Sequence, residues 1–325
     1  MEEKVLAILR ENRASYLSGE EIALRLAVSR AAVWKAVDSL RSAGCAIEAV
    51  TRRGYRLVSE GDILNETTLS LCLSEAEVDL PLRFYRSVDS TNNEAKRLAA
   101  AGEKRDLLLV AEKQTAGRGR SGRSFSSPEG GLYMSFLLHP VSSAEESTRL
   151  TTAAAVAVSE AVEEISGKKT GIKWVNDVFL DGKKITGILA EASLSLENGG
   201  LEYAVVGIGV NVCEPRGGFD PAIRGIAGAI WKPEERKENA RARLAALIAR
   251  KYLRILAAND PLSTHRAYRE RSLVLGREVV VMRNGRGEES AKVLDLDEEN
   301  RLVLRYPDGR VETLGTGEIR VVMKP

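Results

Sequence analysis

The run LLLVAEKQTAGRGRSGR, from Leu107 to Arg123, joins two textures within 17 residues. Leu107, Leu108, Leu109 and Val110 form an unbroken apolar stretch of the length of a buried strand. Gly117, Gly119 and Gly122 then interleave with Arg118, Arg120 and Arg123. Glycine lets the backbone adopt left-handed angles and come close to a ligand. Arginine presents a planar, permanently charged fork suited to phosphate and carboxylate. A cationic loop hung on a rigid strand predicts a clamp for a polyanion. A merely solvated basic loop is the plainer reading of the same letters. Gly117–Gly122 also fits G-x-G-x-x-G, but that fingerprint must open a helix. Here the turn-rich and then strand-like SFSSPEGGLYMSF follows.

Composition sets the outer limits. A chain of 325 residues accommodates two or three domains, and a net charge of +2 imposes no overall polyelectrolyte character. Three scattered cysteines, only two histidines and no C-x-x-C argue against a zinc site or a disulfide framework. A reducing cytoplasm is therefore the expected location. The charged start MEEKVLAILRENR does not read as a signal peptide, and no apolar run reaches membrane-spanning length.

Upstream of the loop, residues 1–60 read as a separate unit. Val5, Leu6, Ile8 and Leu9 share a face of one helix. Ser18 and Glu21 form a capping box before a second, with Ile22, Leu24 and Leu26 apolar. Ser29 caps a third helix, where Val33, Val37 and Leu40 fall at helical spacing. Arg30, Ala31, Trp34, Lys35 and Asp38 then face outward. Ile47–Val50 and Tyr55–Val58 read as strands around Thr51-Arg52-Arg53-Gly54. From Arg25 to Arg56 there are seven basic and two acidic residues. A recognition helix with a basic hairpin predicts a winged helix for duplex DNA, the contacts falling to Arg30, Ala31, Trp34, Lys35, Arg52 and Arg53.

A linker near Glu60–Leu64 precedes the central region. There, Phe84–Val88 reads as a strand, followed by Asp89-Ser90-Thr91-Asn92-Asn93-Glu94 and a helix over Ala95–Ala101. Thr91 and Glu94 suit a capping box, and the same turn offers hydroxyls and amides to a polar ligand. Beyond the loop come a strand at Leu132–Leu138 and a long alanine-rich helix at Leu150–Ile165. GIKWVNDVFL and KKITGILAEASLSL then read as a hairpin turning at Asp181-Gly182. Tyr203–Gly207 is another strand, leading into the small residues of Gly207-Ile208-Gly209-Val210-Asn211. Residues 234–270 read as helical. From Leu273 short alternating strands, with turns at Asn284-Gly285 and Asp308-Gly309, predict a small β-barrel.

The chemistry-bearing residues are Arg118, Arg120, Arg123, Lys173, Lys184, Asn176, Asp177 and Asn211. No Ser/His/Asp arrangement accompanies them. Many cations around one carboxylate suit a reaction between two anions, such as a carboxylate attacking a nucleotide phosphate. Asp177 is the candidate carboxylate for Mg²⁺. Strand alternation lets only one of Lys183 and Lys184 face the site. The stretch Ile185–Leu196 carries Glu191 as its one charge and reads as a sheet edge able to pair with a second copy.

The segments SRAAVWKAVDSLR, DSTNNEA, QTAGRGRSGR, KWVND and KKITGIL, in this order, resemble the biotin–protein ligases that double as biotin operon repressors. The resemblance covers nearly the whole chain. It implies an α+β fold with a winged helix-turn-helix at 1–60, a mixed α/β, class II synthetase-like ligase domain at 61–272 and an SH3-like barrel at 273–325. It implies ATP and Mg²⁺ as cofactors, with biotin as substrate and corepressor precursor. Lys184 and Arg118 would be catalytic. Biotin would meet Ser90, Thr91, Asn92, Gln114, Gly117, Arg118, Gly119, Arg120 and Lys184. The nucleotide would meet Arg120, Arg123, Phe125, Lys173, Asn176, Asp177 and Asn211. The implied partners are a biotin carboxyl carrier domain, operator DNA and, with biotinyl-AMP bound, a second copy of the chain. Val175 departs from the family's usual proline, and Phe125 from its usual tryptophan. A ligand-sensing repressor with weak ligase activity and a lipoate or octanoate ligase are the alternatives, the second disfavoured by the arginine loop.

Overall fold

The computed structural model describes residues 1–42, 45–139, 146–194, 201–215, 217–235, 237–283, 286–315 and 319–323. Three helices open the chain: α1 (Glu2–Glu11), α2 (Gly19–Leu26) and α3 (Arg30–Ser42). They are followed by an antiparallel hairpin of β1 (Ala46–Val50) and β2 (Gly54–Ser59). Ser18 Oγ accepts from Glu21 N at 3.0 Å, and Ser29 Oγ from Ala32 N at 3.2 Å, so both expected caps are formed. Val5, Leu9, Ile22, Val33, Val37, Leu40 and Leu57 make the core of this unit. Leu24, expected among the apolar residues of α2, is instead 83% exposed. Ile22, Ala23 and Leu26 supply the packed side of that helix.

The expected linker is held fast. The Glu60 carboxylate receives Arg10 and Arg13, the latter at 2.7 Å, and Arg13 also pairs with Glu238. Asp62 is fully buried and accepts from Arg241 N at 2.9 Å and Arg241 Nε at 2.7 Å. A buried carboxylate needs such partners, because desolvation of an unpaired charge is costly.

The central region continues with α4 (Glu66–Glu75), β3 (Leu82–Tyr85), α5 (Thr91–Ala100), β4 (Leu107–Ala111), β5 (Leu132–Leu138) and α6 (Glu146–Ser166). Then come β6 (Gly171–Lys173), β7 (Asp177–Leu180), β8 (Lys183–Leu194), β9 (Leu201–Val210), α7 (Ala240–Ala258) and α8 (Pro261–Glu270). The strands form a seven-stranded sheet in the order β3-β4-β5-β9-β8-β7-β6. Only β3 and β4 run parallel. Helices α6 and α7 cover one face over Leu108, Val110, Met134 and Phe136. Helix α5 covers part of the other over Leu107, Leu109, Leu137 and Val205, leaving the rest of that face for the site.

Three expectations change here. GIKWVNDVFL is two strands, because the chain reverses between Lys173 and Asp177. Thr91 and Glu94 do not form a capping box: Gln114 Oε1 accepts from Thr91 N at 2.8 Å, while Glu94 bonds Tyr85 and Arg97. Strand β8 is no simple edge, since β7 pairs with it over 183–187 and β9 from Thr186 onward. From Leu189 to Leu194 it pairs with β9 alone, because β7 has ended; Ser195 and Leu196 lie outside the described residues.

The chain closes with β10 (Glu278–Arg283), β11 (Arg286–Leu296), β12 (Leu302–Arg305), β13 (Val311–Leu314) and β14 (Ile319–Met323). They form an antiparallel sheet in the order β13-β12-β11-β10-β14, where the sequence predicts a barrel. Among the described residues β13 and β14 are not paired to each other. The Asp308-Gly309 turn is present, whereas Asn284-Gly285 lies outside the described residues.

Candidate active site and nucleic-acid face

The uncovered part of the sheet is floored by small residues. Gly187 of β8 pairs with Gly209 of β9, and Gly207 lies two residues further along the same face. A Cβ at Gly209 would strike the Phe125 ring, and one at Gly207 would strike the Asn92 amide. Glycine is needed at both positions because another side chain already lies against the backbone.

At one end of this floor sits a buried polar network. Gln114 Oε1 accepts from Thr91 N and from Thr91 Oγ1 at 3.1 Å, and Gln114 Nε2 donates to Ser127 Oγ at 2.9 Å. The Ser135 hydroxyl lies 2.7 Å from both Thr91 Oγ1 and Asn92 Oδ1. Asn92 Nδ2 donates to Glu191 Oε2 at 2.8 Å, and Lys96 pairs with Glu191 at 2.9 Å. Ser90, Thr91, Asn92, Ser127 and Ser135 are all buried. Hydroxyls and amides fixed in this way present oriented donors and acceptors to a polar, uncharged ligand group.

At the other end the charges gather. Lys184 Nζ lies 2.6 Å from Asp177 Oδ1, both half-buried. Lys183 turns away, donating to the Gly225 carbonyl at 2.6 Å. The Arg/Gly loop folds back on itself: Gly119 N donates to Arg123 O at 2.7 Å and Phe125 N to Gly117 O at 2.9 Å. Burial lowers the Arg120 guanidinium pKa from its ordinary value, against the opposing pull of Asp177. Arg123 lies near enough to add to that lowering. Arg118 points elsewhere, reaching Asn93 Oδ1 at 3.4 Å and adding its field to that at Glu191.

The predicted residues thus fall into two groups on one face. Thr91, Asn92, Gln114 and Gly117 belong to the polar end, and Arg120, Asp177 and Lys184 to the charged end. Lys173 faces Asp177 across the β6–β7 register. Asn176 Nδ2 and Asn211 Nδ2 both donate to carbonyls, those of Ile188 at 2.8 Å and Gly228 at 2.9 Å. Ser90 ends the turn as the residue before α5, its side chain making no cap bond. The Phe125 ring lies on Gly187 and Gly209, with Tyr133 edge-on at 6.5 Å. Sequence reasoning missed Ser127, Ser135 and Glu191. Ser135 leaves a trace, a lone hydroxyl in the apolar strand LYMSFLL, and Glu191 another, the one charge of Ile185–Leu196; Ser127 leaves none.

On the N-terminal unit, Arg30, Ala31, Trp34 and Lys35 form an exposed face of α3, with Trp34 56% exposed. The exposed residues Arg52 and Arg53 stand at the hairpin tip. Arg53 lies 4.2 Å over the Tyr16 ring, which braces the tip against the helical layer. Among the described residues no helix is long and apolar enough to cross a membrane.

A polar network next to a cationic loop, on a mostly antiparallel sheet that follows a helix-turn-helix in the chain, is the arrangement suited to a ligase with an attached helix-turn-helix unit. Residues 84–211 match the Biotin/lipoate A/B protein ligase family, and residues 2–56 match an HTH domain. The chain is 38% identical over 216 residues to the bifunctional ligase/repressor BirA of Bacillus subtilis, the match covering 66% of each chain. It is 33% identical to the biotin–[acetyl-CoA-carboxylase] ligase of Paracoccus denitrificans, covering 68% of this chain and 93% of that one. Among solved structures, biotin protein ligase from Aquifex aeolicus in complex with biotin and ATP superposes with a TM-score of 0.61. That pair is 29% identical, covering 75% of this chain and 99% of the other. The chain belongs to the biotin–protein ligase family and carries an HTH domain at its N-terminal end.

Proposed function

We propose that this chain joins biotin and ATP to biotinyl-5′-AMP, passes the biotin to a lysine of a carrier domain and, as an adenylate-bound dimer, represses at operator DNA. The observation that carries the enzymatic reading is the pairing, on one sheet face, of the buried Thr91–Gln114–Ser135 network with the Lys184–Asp177–Arg120 charges. The first suits the ureido ring, which is polar and uncharged. The second suits two anions that must approach each other.

In the first half-reaction a biotin carboxylate oxygen bonds to the α-phosphorus, and the bond to pyrophosphate breaks. Lys184 stands between carboxylate and α-phosphate, and Arg120 and Arg123 neutralise the phosphate oxygens as charge builds there. Gly117, Arg118 and Gly119 close over the joined product. Asn176, Lys173, Asn211 and Phe125 hold the nucleotide. Asp177 is the carboxylate that would hold a magnesium ion, which would offset the charge of the leaving pyrophosphate. In the second half-reaction a lysine amine attacks the acyl carbon, AMP leaves and the amine loses its proton.

The working units of this reading are residues 1–60 for DNA, 61–272 for the two half-reactions and 273–325 as the C-terminal sheet. Arg30, Ala31, Trp34, Lys35, Arg52 and Arg53 contact the operator. The one-sided stretch of β8 from Leu189 offers a strand edge for a second copy, and for the carrier in its place. The test is direct: incubate the protein with ATP, Mg²⁺, biotin and a carrier domain. Biotin on the carrier lysine is expected. No biotinylated product, or faster transfer of lipoate than of biotin, would overturn the reading.

A further inference from the structure

The turn from Trp174 to Asn176 joins β6 to β7, with Lys173 before it and Asp177 after it. Its shape therefore sets where Asp177 meets Lys184. Two of the groups that hold it come from beyond the stretch 84–211 that matches the ligase family. Trp174 Nε1 donates to the Asn300 carbonyl at 2.8 Å, and the Tyr268 hydroxyl donates to the Val175 carbonyl at 3.1 Å. All four residues are buried, Tyr268 completely.

Neither prop is a surface accident. Asn300 sits in the β11–β12 turn with a left-handed φ of 59°, which asparagine tolerates better than most residues. Its N–H donates to Asp297 O at 2.8 Å, and its side-chain oxygen lies 3.0 Å from His265 Nδ1. Tyr268 belongs to α8, which packs against α6. Burial, helped by the Asp177 charge, pushes the Tyr268 phenol above its ordinary range, so it stays a hydrogen-bond donor. One buried acceptor, the Asn300 carbonyl, and one buried donor, the Tyr268 hydroxyl, thus converge from different elements on one two-residue segment, whose next residues are Asn176 and Asp177.

We infer that Tyr268 and the Asn300 carbonyl are positioning groups for the nucleotide end of the site, so that α8 and the C-terminal sheet set the geometry of Asp177 and Lys184. The inference rests on the ligase reading. Neither group touches a substrate; both act through the turn. The polar end of the site, at Thr91 and Gln114, is held by other partners and does not depend on them.

The test uses the full chain with Trp174→Phe and Tyr268→Phe, each of which removes one donor and keeps a buried ring. The KM for ATP in biotinyl-AMP formation should rise about five- to tenfold in each variant, the consequence of leaving one buried polar group unpaired. The biotin dissociation constant, measured without ATP, should stay within about twofold, because binding at the other end is undisturbed. That titration also shows that the variants are folded. If Trp174→Phe fails to fold, Tyr268→Phe decides alone. An unchanged KM for ATP, or an equal rise for ATP and biotin, would overturn the inference. A wild-type protein that makes no biotinyl-AMP would instead refute the ligase reading.

Discussion

Lys183 and Lys184 are neighbours with opposite fates. Lys183 reaches out to the Gly225 carbonyl, while Lys184 turns in to Asp177. The Lys184 ion pair is partly exposed, so it adds little to stability, and its value lies in holding the ammonium over the site. Lys184→Met keeps the length of the side chain and removes the charge proposed to meet carboxylate and phosphate. Adenylate formation should fall by about a hundredfold or more, the typical cost of one lost transition-state donor. Lys183→Met should stay near wild type. Following pyrophosphate release in both variants checks this, and the reverse order would place the working lysine on the wrong face of β8.

Among the elements, the Arg/Gly loop and the Glu60 segment contrast. The loop carries Arg118, Arg120 and Arg123 within six residues, and an anion bound there would offset their like charge. Trypsin should therefore cut it readily in the free protein and slowly with biotin and ATP. Equal cleavage in both states would refute the clamp. Arg118→Gly should let biotinyl-AMP escape and label stray lysines, seen as biotin on unrelated bystander protein. The Glu60 segment is held by charge. Burial raises the Glu60 carboxyl, but Arg10 and Arg13 outweigh it, and its pKa ends below the ordinary value. A depressed carboxylate contributes stability that is present above the ordinary glutamate range, about pH 4, and is lost as pH falls through the lower folded value. Backbone amide relaxation should show the N-terminal unit loosening below about pH 4. Glu60→Gln should already be loosened at neutral pH and should show no further step there.

At the level of the whole molecule, a single winged helix makes few phosphate contacts and holds DNA weakly at physiological salt. Repression then needs two copies on a two-fold site. The stretch of β8 from Leu189 to Leu194 that β9 alone pairs begins a few residues beyond Lys184 and contains Glu191, which is bonded to Asn92. Ordering the loop around biotinyl-AMP should favour pairing of that edge, and linkage requires dimerisation to tighten adenylate binding in return. Operator affinity at fixed salt should rise when biotin and ATP are added, with a parallel shift to dimer in sedimentation. A dimer whose operator affinity ignores ligand would refute the switch.

What the sequence determined by itself lay in local signals. Ser18 and Ser29 announced their helices because a cap is a contact between near neighbours. The buried strands at Leu107 and Leu132, the Asp181-Gly182 turn and the exposed face of α3 followed from periodicity and turn chemistry. The grouped letters of the arginine loop, KWVND and KKITGIL marked the candidate site, since each of these segments is contiguous. Only the tertiary structure decided the rest, because it depends on partners far away in the chain. Thr91 lost its capping role to Gln114, 23 residues on. Glu60 and Asp62 became anchors because Arg10, Arg13 and Arg241 converge on them. The choice between Lys183 and Lys184 required the register of β8 against β7. The hold of Asn300 on Trp174 spans 126 residues, a separation over which no local pattern carries information.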